Sequence, residues 1–159
     1  MSDGTMTELT DEMKAAIGQA GPVTRYEVTA QGIRTFARAV GYQNPIYFDD
    51  EVANARGHRA LPAPPGFLGV PIYRPNDHVQ YGPSFVDPFK RELNGGTGVT
   101  LVAQVYAGDV LAAVITLVDL KLVSSRSLGQ MLVRNLETVY TRDSDGEIVA
   151  RTRASSLSY

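Results

Sequence analysis

Proton-transfer chemistry needs side chains that titrate near the working pH and stand within hydrogen-bond reach of the reacting atoms. This sequence offers few of them. It holds two histidines and no cysteine, which excludes thiolate nucleophiles, disulfides and thiolate metal sites. His58 follows Gly57 without an orienting partner nearby, so it reads as a surface or supporting residue. His78 stands beside Asp77, but neighbouring side chains point apart, and adjacency in sequence does not make a dyad. Asp49, Asp50 and Glu51 form an acidic cluster. It reads as the cap and first turn of a helix, because a hard cation needs more converging oxygens than this stretch supplies. Arg56, Arg59, Arg74, Lys90 and Arg91 are the basic residues of the loops. An arginine there can clamp a phosphate, while solvated surface charge is the default for any one of them.

The elements that would position these residues are organised by Thr29 to Phe67. Thr29 is a good helix N-cap. Ile33, Phe36, Ala37 and Val40 recur at i, i+3, i+4 and i+7, which predicts one apolar helix face. Gly41 ends that helix and Pro45 prevents it from resuming. A second short helix starts at Asp49 or Asp50 and stops at Gly57, and Pro62 to Pro65 (PAPP) forces an extended run. Before this stretch, Thr7 or Thr10 caps a short helix through Met13 and Ile17, and VTRYEV (Val23 to Val28) alternates like a strand. After it, GFLGVPIY (Gly66 to Tyr73) reads as an irregular helix or turn. Arg74 to Lys90 reads as a long loop or flap.

From Leu93 onward β-branched residues dominate. Strands are predicted at Val99 to Tyr106, Val110 to Val118, Met131 to Thr141 and Ile148 to Ser158. Turns fall at Ala107-Gly108-Asp109, Ser124 to Gly129 and Asp143 to Gly146. Asn94-Gly95-Gly96 permits close backbone approach and reads as a turn into the next strand. Helices first and an antiparallel meander afterwards imply an α+β fold, with about five strands wrapped around one central helix.

With 159 residues, 43% of them hydrophobic and 20% charged, the chain suits a single domain, 1–159, with residues 1–6 disordered. A net charge of −2 argues against a general nucleic-acid or anionic-membrane surface, while leaving room for a local basic patch. No apolar run approaches the ~20 residues a bilayer span needs, and the N-terminus lacks a signal-peptide apolar region. A cytoplasmic protein is expected.

FARAVGYQNPIYFDDEVANARGHRALPAPPGFL (Phe36 to Leu68) resembles the signature region of MaoC-like hot-dog proteins, and more closely the FAS1-type dehydratase N-terminal-domain group. LNGGTGVTLVAQVYAGDVL and TRDSDGEIVARTRASSLSY resemble that family's later segments, so the likeness runs from about Thr10 to Tyr159. The resemblance implies a hot-dog fold. It also implies hydration of 2-enoyl thioesters, or dehydration of (3R)-3-hydroxyacyl thioesters, with no cofactor beyond the coenzyme A or acyl carrier protein that carries the acyl group. The family's motif reads approximately G-D-x-N-P-[LIV]-H, its Asp and His acting on a water or hydroxyl and on the α-proton.

This chain keeps Gly41, Asn44, Pro45 and Ile46 but has Tyr42 at the Asp position and Tyr47 at the His position. A phenol titrates near ~10 and is a poor general base at neutral pH. The resemblance therefore implies a non-catalytic subunit that pairs, as a heterodimer or heterotetramer, with a homologous subunit supplying Asp and His. Tyr47, Pro64, Pro65, Phe67, Asn94, Gly95 and Gly96 are the candidate substrate-binding residues; no metal ligand is expected. Two alternatives stand beside this: a self-sufficient homodimer using Tyr42, Tyr47 or His78, and an acyl-thioester-binding module without chemistry.

Overall fold

The structure is a computed structural model that describes residues 6–73 and 83–159. His78, Arg74 and the first part of the predicted flap lie outside the described residues. In chain order the elements are α1 (Asp11–Ala16), β1 (Thr24–Glu27), α2 (Ala30–Ala39), a 3-10 turn (Pro45–Tyr47), α3 (Asp50–Ala55), β2 (Val70–Pro71), β3 (Glu92–Leu101), β4 (Val110–Ser125), β5 (Gly129–Arg142) and β6 (Ile148–Ser158). The six strands form one antiparallel sheet in the order β2-β1-β4-β5-β6-β3. The α+β expectation of an antiparallel sheet closed over a helix holds, with a short β2 added.

The helices start where the caps dictate. The Thr10 hydroxyl accepts from Met13 N–H, and the Thr29 hydroxyl from Gly32 N–H at 2.9 Å. Each satisfies a donor that the first turn leaves free. Ile33 and Ala37 are fully buried, and Phe36 packs beside them. Val40, expected on the same face, is 51% exposed. It is the C-cap of α2, with a non-helical ψ of 1°, so it has rotated off the stripe. Ile17 similarly caps α1 rather than extending it. Met6, the last residue of the lead expected to be disordered, donates its N–H to Gln130 Oε1 at 2.8 Å.

Two strands are longer or shifted relative to the sequence reading. β4 was expected to end at Val118 but continues to Ser125. A bulge between Leu117 and Asp119 leaves Val118 as the extra residue, 52% exposed. The bulge shifts the alternation by one, so Leu117 and Leu120 are both buried despite their odd spacing. β3 occupies Glu92–Leu101 rather than Val99 to Tyr106. Its glycine-rich start forms no turn: Asn94, Thr97 and Gly98 pair with β6, and a bulge sits at Asn94/Gly96. A side chain at Gly95 would meet Ser155 Oγ at 2.6 Å, which is why the strand tolerates only glycine there. At the other end, Val102 and Ala103 both donate to Val149 O, after which the chain leaves β6. GFLGVPIY contains a turn, closed by Phe67 N–H to Pro64 O, and then β2 on the free edge of β1. Pro71 has no N–H and suits an edge strand.

The core has two parts. One gathers Val28, Ile33, Ala53, Leu61, Phe67, Leu111 and Val149 beneath α2. The other gathers Met13, Leu117, Leu120 and Leu132 beneath α1, with Phe85 and Phe89 of the flap packed against it. Arg134 holds the flap down. It forms an ion pair with Asp87, lies 5.3 Å from the Phe85 ring centre, and reaches Glu92 at 3.5 Å.

Gly32 lies in the first half of α2, where a Cβ would stand 2.8 Å from Phe67 Cζ. Alanine in a helix interior is favoured over glycine by about 1 kcal/mol. Phe67 is 8% exposed and its ring centre lies 5.3 Å from that of Phe36, so overpacking of about 1–3 kcal/mol opposes that gain. Gly32→Ala is expected to lower the urea midpoint, and an unchanged or raised midpoint would show that the ring yields freely.

Tyr26 and Tyr140 meet edge to face at 5.6 Å. Burial pushes both phenols above their ordinary value of 10.0, and the neighbouring Tyr140 and Tyr73 add to the effect at Tyr26. The folded state therefore holds these protons more tightly than the unfolded chain. Their contribution to stability is complete below about pH 10 and is lost as pH rises through the raised values. Thermal unfolding between pH 8 and pH 12 is expected to show a fall in Tm that Tyr140→Phe makes shallower.

Candidate functional site

The loop after α2 is fixed by local bonds. Tyr42 N–H donates to Ala37 O at 2.9 Å. Asn44 Oδ1 accepts from Ile46 N–H and caps the 3-10 turn that carries Tyr47. Asp49 caps α3 by accepting from Glu51 and Val52 N–H, and Asp50 and Glu51 fill its first turn. The acidic cluster is thus the capping device its spacing implied. Among the described residues no group of three His, Asp or Glu side chains is arranged to hold a metal ion. Arg34 joins α2 to this loop: its Nε donates to Phe48 O at 2.9 Å, and its Nη2 lies 2.7 Å from Asp50 Oδ2.

Tyr42 and Tyr47 are thereby brought together, with ring centres 5.7 Å apart at 38°. Tyr42 is 37% exposed, while Tyr47 packs against the core beneath α2. Arg56 Nη1 lies 3.4 Å from Asn44 Oδ1. Among the described residues it has no carboxylate within ion-pair distance. His58 Nδ1 stands 3.5 Å from the Tyr106 hydroxyl, and the Arg59 guanidinium lies 4.5 Å over the Tyr106 ring.

The proline-rich run is tied to the segment after β3. Ala63 N–H donates to Val105 O at 2.7 Å and Ala107 N–H to Leu61 O at 2.9 Å. Gln104 Nε2 bridges Ala63 O and Val105 O. Between the two runs lies a cleft of about 150 Å³, walled by Pro64, Phe67, Leu68, Leu101 and Val102. Pro64 and Phe67 line it, and Pro65 is exposed beside them. Tyr47 belongs to the same core as Phe67. Asn94, Gly95 and Gly96 lie elsewhere, on β3. Gly96 borders a depression of about 500 Å³ with Val118, Asn135 and Arg153. A third cleft, of about 650 Å³, is lined by Arg59, Tyr106, Asp109, Arg142 and Glu147, and it shares Ala103 and Gln104 with the small apolar cleft.

Asp109 holds this region in place. Its side chain is 5% exposed; it accepts from Tyr106 N–H, pairs with Arg59 and receives Arg142 Nε at 3.4 Å. Arg142 is 10% exposed, reaches Asp145 and Glu147 at 2.7 Å, and donates to Gln104 O at 2.8 Å. Burial opposes its charge. Hydrogen bonds to Asp145 and Glu147 and the field of Asp109 together outweigh burial and raise the guanidinium above its usual value. Tyr106, Gln104 and Arg142 were absent from the sequence reading. Alternation marks their segments as strand-like, but nothing local shows that residues 105–107 abandon β6 to pair with 61–63.

Residues 15–152 match the family described as FAS1-like, dehydratase domain region. A UPF0336 protein of Parafrankia sp. is 34% identical over 133 residues, 84% of each chain. The 3-oxo-4,17-pregnadiene-20-carboxyl-CoA hydratase alpha subunit of Mycobacterium tuberculosis is 39% identical over 71 residues, covering 41% of this chain and 23% of that one. In structure, the chain is similar to the ChsH1-ChsH2 complex of Mycobacterium tuberculosis (TM-score 0.66, 22% identity, 93% of each chain covered). It is also similar to the HadBC (3R)-hydroxyacyl-ACP dehydratase complex of the same organism (TM-score 0.60, 23% identity, 86% of this chain and 95% of that one). A MaoC-like dehydratase gives TM-score 0.66 at 19% identity, over 91% of this chain and 42% of that one. The fold is the hot-dog fold. No helix among the described residues is long and apolar enough to cross a membrane.

Removing one member of a buried ion pair costs about 3–5 kcal/mol, because the other charge is left without a counterion. Arg142→Gln is expected to lower unfolding free energy by about 3 kcal/mol in urea titration. Adding Asp109→Asn should cost less than the two single effects summed, and strict additivity would show that the two side chains are not coupled.

Proposed function

Because this chain belongs to the FAS1-like dehydratase domain region family, we propose that it is the supporting, substrate-binding subunit of an enoyl-thioester hydratase or 3-hydroxyacyl-thioester dehydratase. The observation that carries the reading is the Tyr42–Tyr47 pair, 5.7 Å apart, at the two positions where the resemblance expects Asp and His. Hydration needs a base to deliver water and an acid to protonate the α-carbon. Two phenols with an ordinary value near ~10 serve neither role well at neutral pH. A homologous MaoC-like subunit supplies the acid and base, and this chain supplies a wall of the acyl site through Tyr47, Pro64 and Phe67.

The edge of β3 supports the pairing. All ten of its residues are exposed, among them Leu93, Val99 and Leu101 at 45%, 44% and 46%. An unpaired edge of that length, carrying three exposed aliphatic side chains, is suited to sheet extension by a second subunit. The heteromeric assembly of the ChsH1-ChsH2 and HadBC complexes supports it further. The name of the mycobacterial hydratase subunit supports a ring-bearing acyl group as one substrate class. The acyl group arrives on coenzyme A or a carrier protein, in the cytoplasm, and no further cofactor takes part.

The test is hydration of an enoyl-CoA, followed by loss of the enoyl-thioester absorbance. It is run with the purified chain alone and again after co-expression with a homologue bearing the Asp and His. Turnover is expected only with the partner. Full turnover by the chain alone would overturn the reading and direct attention to Tyr42, Tyr47 and His78.

A further inference from the structure

Side chains alternate between the two faces of a strand. Leu132 is fully buried in the core, so Val133, Asn135 and Glu137 of β5 turn to the outer face of the sheet. Their partners on β6, Leu157, Ser155 and Arg153, share that face. Farther along it, Gly96 and Gly98 leave the middle of β3 without side chains. Gly96 has a φ of +141°, which favours glycine. Gly98 has no such reason: its φ is not positive, and a Cβ there would meet nothing within 4 Å. Glycine in a strand interior weakens the strand and marks a place where another backbone comes close. Gly96 and Arg153 line the depression of about 500 Å³, and Gly98 pairs with Arg153, so the bare stretch continues along β3. On the opposite side of the depression the β4 bulge pushes Val118 into solvent, 52% exposed. The outer face thus has a hollow at β3 and an apolar knob at β4, with β5 and β6 between them.

We infer that this face binds a second copy of the chain, back to back, about a two-fold axis that runs along the strands between β5 and β6. Two sheets pack face to face with their strands nearly aligned, and a two-fold contact must be complementary to itself. This axis lays β4 of one copy over β3 of the other, and β5 over β6, row by row. Val118 then enters the bare stretch at Gly96 and Gly98. Glu137 faces Arg153, and Val133 faces Leu157, because each pair is opposed across β5 and β6 within one chain. The Arg153 side chain is 85% exposed and spends its Nε on Glu137 at 3.3 Å, which leaves donors for a second carboxylate. Charge, apolar contact and knob-in-hollow fit all coincide under one rotation, and that coincidence selects a second copy over an unrelated partner. The open backbone groups of the β3 edge are not used, so a different subunit can extend the sheet there at the same time. The inference rests on this surface alone and stands apart from the thioester reading.

The full chain is measured by multi-angle light scattering over a concentration series, with a thermal melt of each variant. A dimer is expected. Gly98→Lys fills space that is empty in a single chain, so it should leave Tm unchanged or raised while weakening the dimer about tenfold or more. Glu137→Arg sets cation against cation across the axis, and Arg153→Glu sets anion against anion. Each charge-reversed chain alone is expected to be monomeric. Mixed in equal amounts, the two present opposite charges to each other, and the dimer should return. A parent chain that stays monomeric would overturn the inference. So would a dimer indifferent to Gly98→Lys and to both reversals, the sign of pairing along the β3 edge instead, or reversed chains that stay monomeric when mixed. None of these readouts involves turnover or an acyl thioester, so the subunit reading and this one fail separately.

Discussion

A carboxylate held almost out of water must be fully engaged or it unfolds the region around it, and Asp109 is engaged from three directions. One oxygen accepts from the Tyr106 backbone and receives Arg142; the other takes Arg59. Through those contacts the turn before β4, the end of β5 and the segment after α3 become one rigid corner. The proline-rich run is bonded to the same corner by Ala63 and Ala107. Through Ala63 and Gln104 the cleft that Pro64 and Phe67 line takes its position from that corner.

Much of this architecture was legible in the sequence. Thr29 and Asp49 cap because their side chains accept hydrogen bonds from nearby backbone, a purely local property. The buried stripe of α2 and the limits of β6 follow from periodicity. What failed to show were events decided by distant parts of the chain. The bulge at Val118 breaks the alternation of β4 and makes one strand look finished when it is not. Asn94-Gly95-Gly96 has turn composition, yet Ser155 on the neighbouring strand fills the space a side chain would need. The pairing of residues 61–63 with 105–107 spans some forty positions, a separation no local pattern encodes.

The candidate site was legible in the opposite sense. Tyr42 and Tyr47 stood out for the chemistry they lack, and the fold brings their rings within 5.7 Å, tilted by 38°. Two aromatic rings give the loop flat apolar faces in place of titratable groups. Tyr106 was invisible beforehand because its partners His58 and Arg59 arrive from another element.

The bare side of β3 carries a consequence of supply. The backbone donors and acceptors of β3 that face away from β6 form a template on which another extended chain can pair, its own copies included. The bulge at Asn94 and the glycines that follow roughen one end of that template and leave Thr97 to Leu101 as its regular part. Left bare at high concentration, that edge is a standing aggregation liability of the kind that occupies chaperones and proteases.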